Sequence, residues 1–141
     1  VPALDDGLAS NEVLVAFHFP ESFAPESCVE GEIYSRETGM SWQVSPAPDG
    51  SYCIVVATIE IEVGDTVEMV TLATLADYQY DIEVQQQILG PFLLDVGDAV
   101  GGSDGRWWSY DLNGGYGSIG MAEQVVTPGD HIDWHFDAGQ F

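Results

Sequence analysis

The sequence predicts an α+β domain dominated by strands, a β-grasp-like or mixed β-roll arrangement with one helix, preceded by an N-terminal β extension. Alternating apolar and polar runs recur between residues 12 and 19, 52 and 63, 108 and 112, and 130 and 137; this period of two places successive side chains on opposite faces of a sheet. A helical period follows Gly64. Gly and Pro punctuate the rest at short intervals, with no internal repeat and no low-complexity tract. At 141 residues, 45% of them hydrophobic, the chain fits one domain and is too apolar for a disordered acidic tail.

In EVLVAFHF, residues 12 to 19, Val13, Val15, Phe17 and Phe19 fall on one side. This predicts a half-buried strand that Pro20 ends. An apolar, alternating strand suits strand addition between copies, so these four residues form a candidate assembly strand. Residues 21 to 50 carry Pro25, Gly31, Gly39, Pro46 and Pro48 and read as short strands and turns. Cys28 lies within this segment and Cys53 just after it; in an exported protein such a pair forms a disulfide, and closing this loop stabilises by about 3.5 kcal/mol in the chain-entropy model. Residues 1–51 are thus an N-terminal strand and a disulfide-tied β insert within the same domain as residues 52–141.

From Tyr52 to Val63, Val55, Ala57, Ile59, Ile61 and Val63 face one way, and Thr58, Glu60 and Glu62 the other. Gly64 breaks this strand. Asp65 and Glu68 have the spacing of a capping box, which predicts a helix from Thr66 to about Asp77 with Met69, Leu72, Leu75 and Ala76 as its apolar stripe. The β-branched Val67, Val70, Thr71 and Thr74 weigh against helix. Phe92, Leu94 and Val96 precede a glycine-rich loop at residues 101–105; Trp108, Tyr110 and Leu112 then alternate up to an Asn113-Gly114-Gly115 turn. In the last strand Ile132, Trp134 and Phe136 point inward.

The stretch GRWWSYDLNGGYGSIGMAEQVVTPGDHIDWHF resembles the C-terminal β domain of transcobalamin and intrinsic factor, and prokaryotic cell-surface domains of the same transcobalamin-like family. The resemblance rests on Trp107 or Trp108, Tyr110, Asn113 with Gly114, Gly120 with Ala122, Gly129 with Asp130, and Trp134 with Phe136. Upstream, VATIEIEVGDTVEMVTLATLA is similar to the family's strand, turn and helix, so the match spans Tyr52 to Phe136. It implies the family's β architecture. In those proteins the domain lies over one face of a cobalamin held mainly by a separate helical domain. That helical partner is absent from this sequence, and residues 21–50 depart from the family's short first hairpin, so no resident cobalamin or other cofactor is expected, divalent cations aside.

Twenty-four Asp and Glu stand against two strong bases, Arg36 and Arg106, for a net charge of -22. Such a surface repels nucleic acid and anionic membranes and favours cations. Its acidity reads as a halophilic adaptation to a saline medium or as carboxylates bridged between copies by divalent cations. No run of 18 apolar residues exists to cross a membrane. The start at Val1, with no leader, is read as a mature product after signal-peptide removal, at the cell surface or outside the cell.

Catalytic patterns are missing: no nucleophile elbow, phosphate loop or CxxC motif accompanies the three histidines. Residues His131, Asp133, His135 and Asp137 alternate along one face and form a candidate metal set. Trp42, Trp107 and Tyr116 form a candidate ligand or assembly surface. The expected function is that of a secreted, non-enzymatic structural subunit of an extracellular filament or surface layer, partnered by its own copies through strand or edge pairing. The other reading is a surface-displayed module for a corrinoid, a carbohydrate or a metal ion.

Overall fold

The structure, a computed structural model, describes residues 11–25, 33–35, 53–87, 90–117 and 119–137. Its strands are β1 (Glu12–Phe19), β2 (Ile33–Ser35), β3 (Cys53–Glu60), β4 (Ile82–Gln87), β5 (Gly90–Val96), β6 (Ala99–Val100), β7 (Trp107–Leu112), β8 (Gly115–Tyr116) and β9 (His131–Asp137), with one helix, α1 (Val67–Tyr78), between β3 and β4. Six strands make one sheet in the order β2-β3-β1-β9-β7-β8; β4, β5 and β6 make a second. The strand-dominated α+β class therefore stands, and the parallel pairing of the first strand with the last at the sheet's centre is the β-grasp feature within it.

β1 is a central strand. It pairs antiparallel to β3 over all eight residues, from Glu12 opposite Glu60 to Phe19 opposite Cys53, and parallel to β9 from Leu14 opposite His131 to His18 opposite His135. Residues from the N-terminal segment and from residues 52–141 thus share one sheet. Alternation predicts a half-buried strand, but every residue from Val13 to Phe19 is buried. Leu14, Ala16 and His18 are as inaccessible as the odd-numbered set because this strand is covered on both faces. Both of its hydrogen-bonding edges are also occupied, so β1 can pair with another copy only by leaving its own sheet.

Val13, Val15, Phe17 and Phe19 pack with Val55, Ala57, Ile132, Trp134 and Phe136 against α1 and the second sheet. Phe17 and Trp134 stack at 6.4 Å, and Trp108 meets Phe17 edge-on at 5.9 Å. Tryptophan and tyrosine bring polar tips that need partners when buried. Trp134 Nε1 donates to Thr71 Oγ1 at 2.9 Å, Tyr78 Oη donates to the Val56 carbonyl at 2.6 Å, and Trp108 Nε1 donates to the Ala99 carbonyl at 3.1 Å. The first two fasten the helix to the large sheet; the third fastens the small sheet to it.

Three sequence expectations shift. β3 ends at Glu60, and Val63 is fully exposed in the turn before Gly64, where φ is 96°. The helix cap is Thr66, whose Oγ1 accepts from Met69 N at 3.4 Å, while the Asp65 carboxylate closes the preceding turn by accepting from Glu62 N at 3.0 Å. The next free helix N–H groups are taken by a neighbouring segment: Val67 N donates to the Gln124 carbonyl and Glu68 N to that of Met121, each at 2.9 Å. Finally, α1 buries Val67, Val70, Thr71, Thr74, Leu75 and Tyr78, while Met69 is 52% exposed and Ala76 lies outside. The β-branched residues are the packed face, because short, stiff side chains let the helix lie close to the sheet.

Candidate functional site

A cavity of about 560 Å³ lies between β5 and the β7–β8 hairpin. Its construction is local. Gln79 ends α1 in the left-handed conformation, with φ 61°, and its N–H donates to the helix carbonyls of Leu75 and Ala76. That reversal sends the chain into β4 and β5. In the β4–β5 pairing Glu83 faces Asp95 and Val84 faces Leu93, so Leu94 is the extra residue of a bulge in β5. The bulge brings the Leu94 carbonyl to Gly101 N at 2.9 Å, where a Cβ would stand 2.9 Å from that same oxygen. Glycine is required there by space.

Leu93, Trp108, Tyr110, Met121 and Trp134 form the buried floor. Tyr116 and Ile119, 54% and 46% exposed, stand at the rim with the half-buried Trp107. The Tyr110 hydroxyl donates to the Ile119 carbonyl, and the ring lies against Gly117, so that Gly117, Ile119, Gly120 and Met121 form the remaining wall. Burial, and secondarily the nearby Tyr116, raises the Tyr110 pKa above its ordinary value, so the phenol stays a hydrogen-bond donor. Among the described residues, none that lines the cleft carries a formal charge. An open, aromatic cleft of this size suits an organic molecule held by apolar contact and ring stacking.

Of the sequence-picked aromatic residues, Trp107 and Tyr116 line this cleft; Trp42 lies outside the described residues. The Asn113–Gly114 turn places Tyr116, with φ 52° and 85° at its two central residues, the positive pair that a tight hairpin needs. Asn113 also locks the hairpin to the last strand: its Oδ1 accepts from His131 N at 2.8 Å, and its Nδ2 donates to Asp130 Oδ1 at 2.9 Å. Gln87, Ile119 and Met121 carried no signal in the sequence, and Phe92 none for a site, because their roles arise from how the second sheet stands over the first.

Two of the candidate metal residues, Asp133 and His135, sit on the opposite face of the large sheet, each paired with another side chain. Asp133 and His135 are buried, not solvated. Asp133 Oδ1 lies 2.9 Å from His18 Nε2, and His135 Nε2 lies 3.2 Å from Asp111 Oδ2, with the two imidazole rings 4.4 Å apart. His131 is half-buried at the head of β9, and the side chain of Asp137 lies outside the described set. Among the described residues no group of three His, Cys, Asp or Glu side chains stands where it could share a metal ion. His18 and Asp111 were missed in sequence, although each is a polar residue in a mainly apolar strand. Cys53 is buried at the head of β3; Cys28, and with it the expected disulfide, lies outside the described residues. No helix among the described residues is long and apolar enough to cross a membrane.

No family model and no curated protein matches this chain. Its fold is shared by solved structures. Haptocorrin, of the transcobalamin family, in complex with Cbi superposes with a TM-score of 0.52 at 11% identity over 92% of this chain, which spans 26% of the haptocorrin chain. A Ruminococcus gnavus protein, provisionally assigned as metal binding, superposes with a TM-score of 0.50 at 12% identity, covering 92% of this chain and 99% of its own. At such identities the likeness is one of fold, and it bears out a transcobalamin-like architecture in outline only.

Proposed function

We propose that this chain is a secreted, non-enzymatic binding module that holds a flat, largely uncharged organic ring system in the cleft between its sheets. The observation that carries this reading is the 560 Å³ cavity floored by Trp108, Tyr110 and Trp134, with Trp107 and Tyr116 at its mouth. A corrinoid is the first candidate, supported by the haptocorrin neighbour, which was solved with Cbi. The uncharged lining favours this class over a free metal ion. The acidity of the chain, at net charge -22, supports an extracellular, salt-rich setting.

The test is a titration with cobinamide and with cyanocobalamin, following the corrin absorption bands and tryptophan emission together. Binding shifts the bands and quenches the emission. Trp107→Ala removes one stacking surface worth about 1–1.5 kcal/mol and weakens binding about tenfold. An unchanged corrin spectrum at near-millimolar protein removes corrinoids from the reading. Failure of a panel of planar aromatic dyes to quench the emission as well removes the binding function.

A further inference from the structure

We infer that the outer edge of β4 is a self-association site at which two copies of this chain join their small sheets, antiparallel, across a twofold axis. β4 is the terminal strand of the β4-β5-β6 sheet. Five of its six residues are exposed, and among the described residues no strand pairs with the row of backbone N–H and C=O groups on its outer edge. Natural proteins guard such edges with lysine, proline or a bulge in the edge strand. Here IEVQQQ contains neither residue, and the one irregularity of the pairing puts its extra residue, Leu94, on β5. β4 itself carries no extra residue, and its edge is open among the described residues.

The side chains identify the partner. In a chain of net charge -22, these six residues carry one charge, Glu83. A twofold axis perpendicular to the sheet sets one residue opposite its own copy, and like charges placed opposite each other destabilise a strand pair. An axis at Gln85 avoids this: Glu83 of each copy then meets Gln87 of the other, Val84 meets Gln86, and Gln85 meets Gln85. Glu83, Gln85 and Gln87 share one face by alternation. Gln87 Nε2 already donates to Gln85 Oε1 at 3.0 Å within the strand. Pairing extends this row into a ladder in which glutamine amides donate to the Glu83 carboxylates. The segment is complementary to itself, as an isologous contact requires.

Net charge opposes the approach of two copies, and salt screens it, with a Debye length of about 8 Å at 0.15 M and 3 Å at 1 M. Association therefore strengthens with salt. Sedimentation velocity on the full chain in sodium chloride tests this, with circular dichroism to verify folding. A monomer–dimer equilibrium is expected whose dissociation constant falls about tenfold between those two salt concentrations. Gln85→Glu sets carboxylate against carboxylate at the axis and raises the dissociation constant about tenfold or more. Ala73→Glu adds the same charge on the exposed side of α1 and leaves it within about twofold. A chain that stays monomeric at every salt concentration overturns the inference, as does a dimer equally affected by the two substitutions or a dimer that forms only with calcium.

Discussion

Asp133 offers the sharpest test of how the large sheet is held together. It stands opposite Ala16 on β1 and opposite Asp111 on β7, in a strand flanked on both sides by buried neighbours. Two carboxylates directly across a strand pair repel each other, and each is turned to a different histidine: Asp133 to His18 at 2.9 Å, Asp111 to His135 at 3.2 Å. The His18 and Asp133 side chains are 1% and 8% exposed, so their hydrogen bond is desolvated and belongs to the stronger class, about 1.5–3 kcal/mol for a charged partner. Asp133→Ala removes that bond and leaves a void beside the His18 ring, for an expected loss of about 2–4 kcal/mol. Asp133→Asn keeps the shape and relieves the opposition to Asp111, so it costs less. Urea denaturation of His18→Ala, Asp133→Ala and the double variant closes a thermodynamic cycle, with an expected coupling of about 1.5–3 kcal/mol. Because the pair is buried, that coupling persists in molar salt. A coupling near zero, or one abolished by salt, would refute the reasoning and make this contact incidental to a sheet stabilised by its other face.

Two other outcomes follow from the cleft. A methyl at Gly117 stands 2.6 Å from Tyr110 Cζ; the ring is pinned through its hydroxyl, so Gly117→Ala should cost about 1–3 kcal/mol and push the ring into the cavity, with ligand binding lost before the fold. Calorimetry and dye quenching on the same sample separate the two effects, and an unchanged melting temperature would show the ring to be free to move. The raised Tyr110 pKa fixes a sign for alkaline pH. Burial favours the neutral phenol in the folded state, so its contribution is fully present below the ordinary value of about 10 and declines as pH rises through the higher folded value. The stability gap between the natural chain and Tyr110→Phe should accordingly narrow above pH 10; a gap that stays constant to the alkaline limit contradicts the assignment.

Alternation made most of the large sheet legible. Val13, Val15, Phe17, Phe19, Trp108, Tyr110, Ile132, Trp134 and Phe136 all lie on the buried face that their period assigns. The same signal is blind to a second buried face, since a strand covered on both sides still shows its apolar set once. Leu14 and Ala16 could be read as neutral, but His18, Asp111, Asp133 and His135 could not: polar residues that alternate with the apolar set on three neighbouring strands mark a face that must be satisfied internally if it is covered. Sequence shows the polar residues; only register shows that β1 and β9 run parallel and bring His18 opposite His135. The helix lies where it was expected, but its buried face was misread for a different reason. Its stripe was sought among the strongest helix formers, yet Val67, Val70, Thr71, Thr74 and Tyr78 recur at helical spacing just as well and are the ones buried.

The cleft and the β4 edge come from one structural fact, that the chain between α1 and β7 forms a sheet of its own instead of extending the first. Had β4 and β5 joined the large sheet, the aromatic row of Trp107, Trp108 and Tyr110 would face a helix or solvent, and no cavity would separate two layers. A three-stranded sheet docked through Trp108 to Ala99 buries Leu93, Val96 and Ala99, but it leaves an outer strand whose backbone nothing within the described residues covers. Small sheets are marginal alone and gain from further strands. Pairing two copies through β4 would turn two three-stranded sheets into one of six strands. It would also stiffen the wall that β5 contributes to each cleft, so ligand affinity and dimerisation should be coupled, each strengthening the other by the same factor.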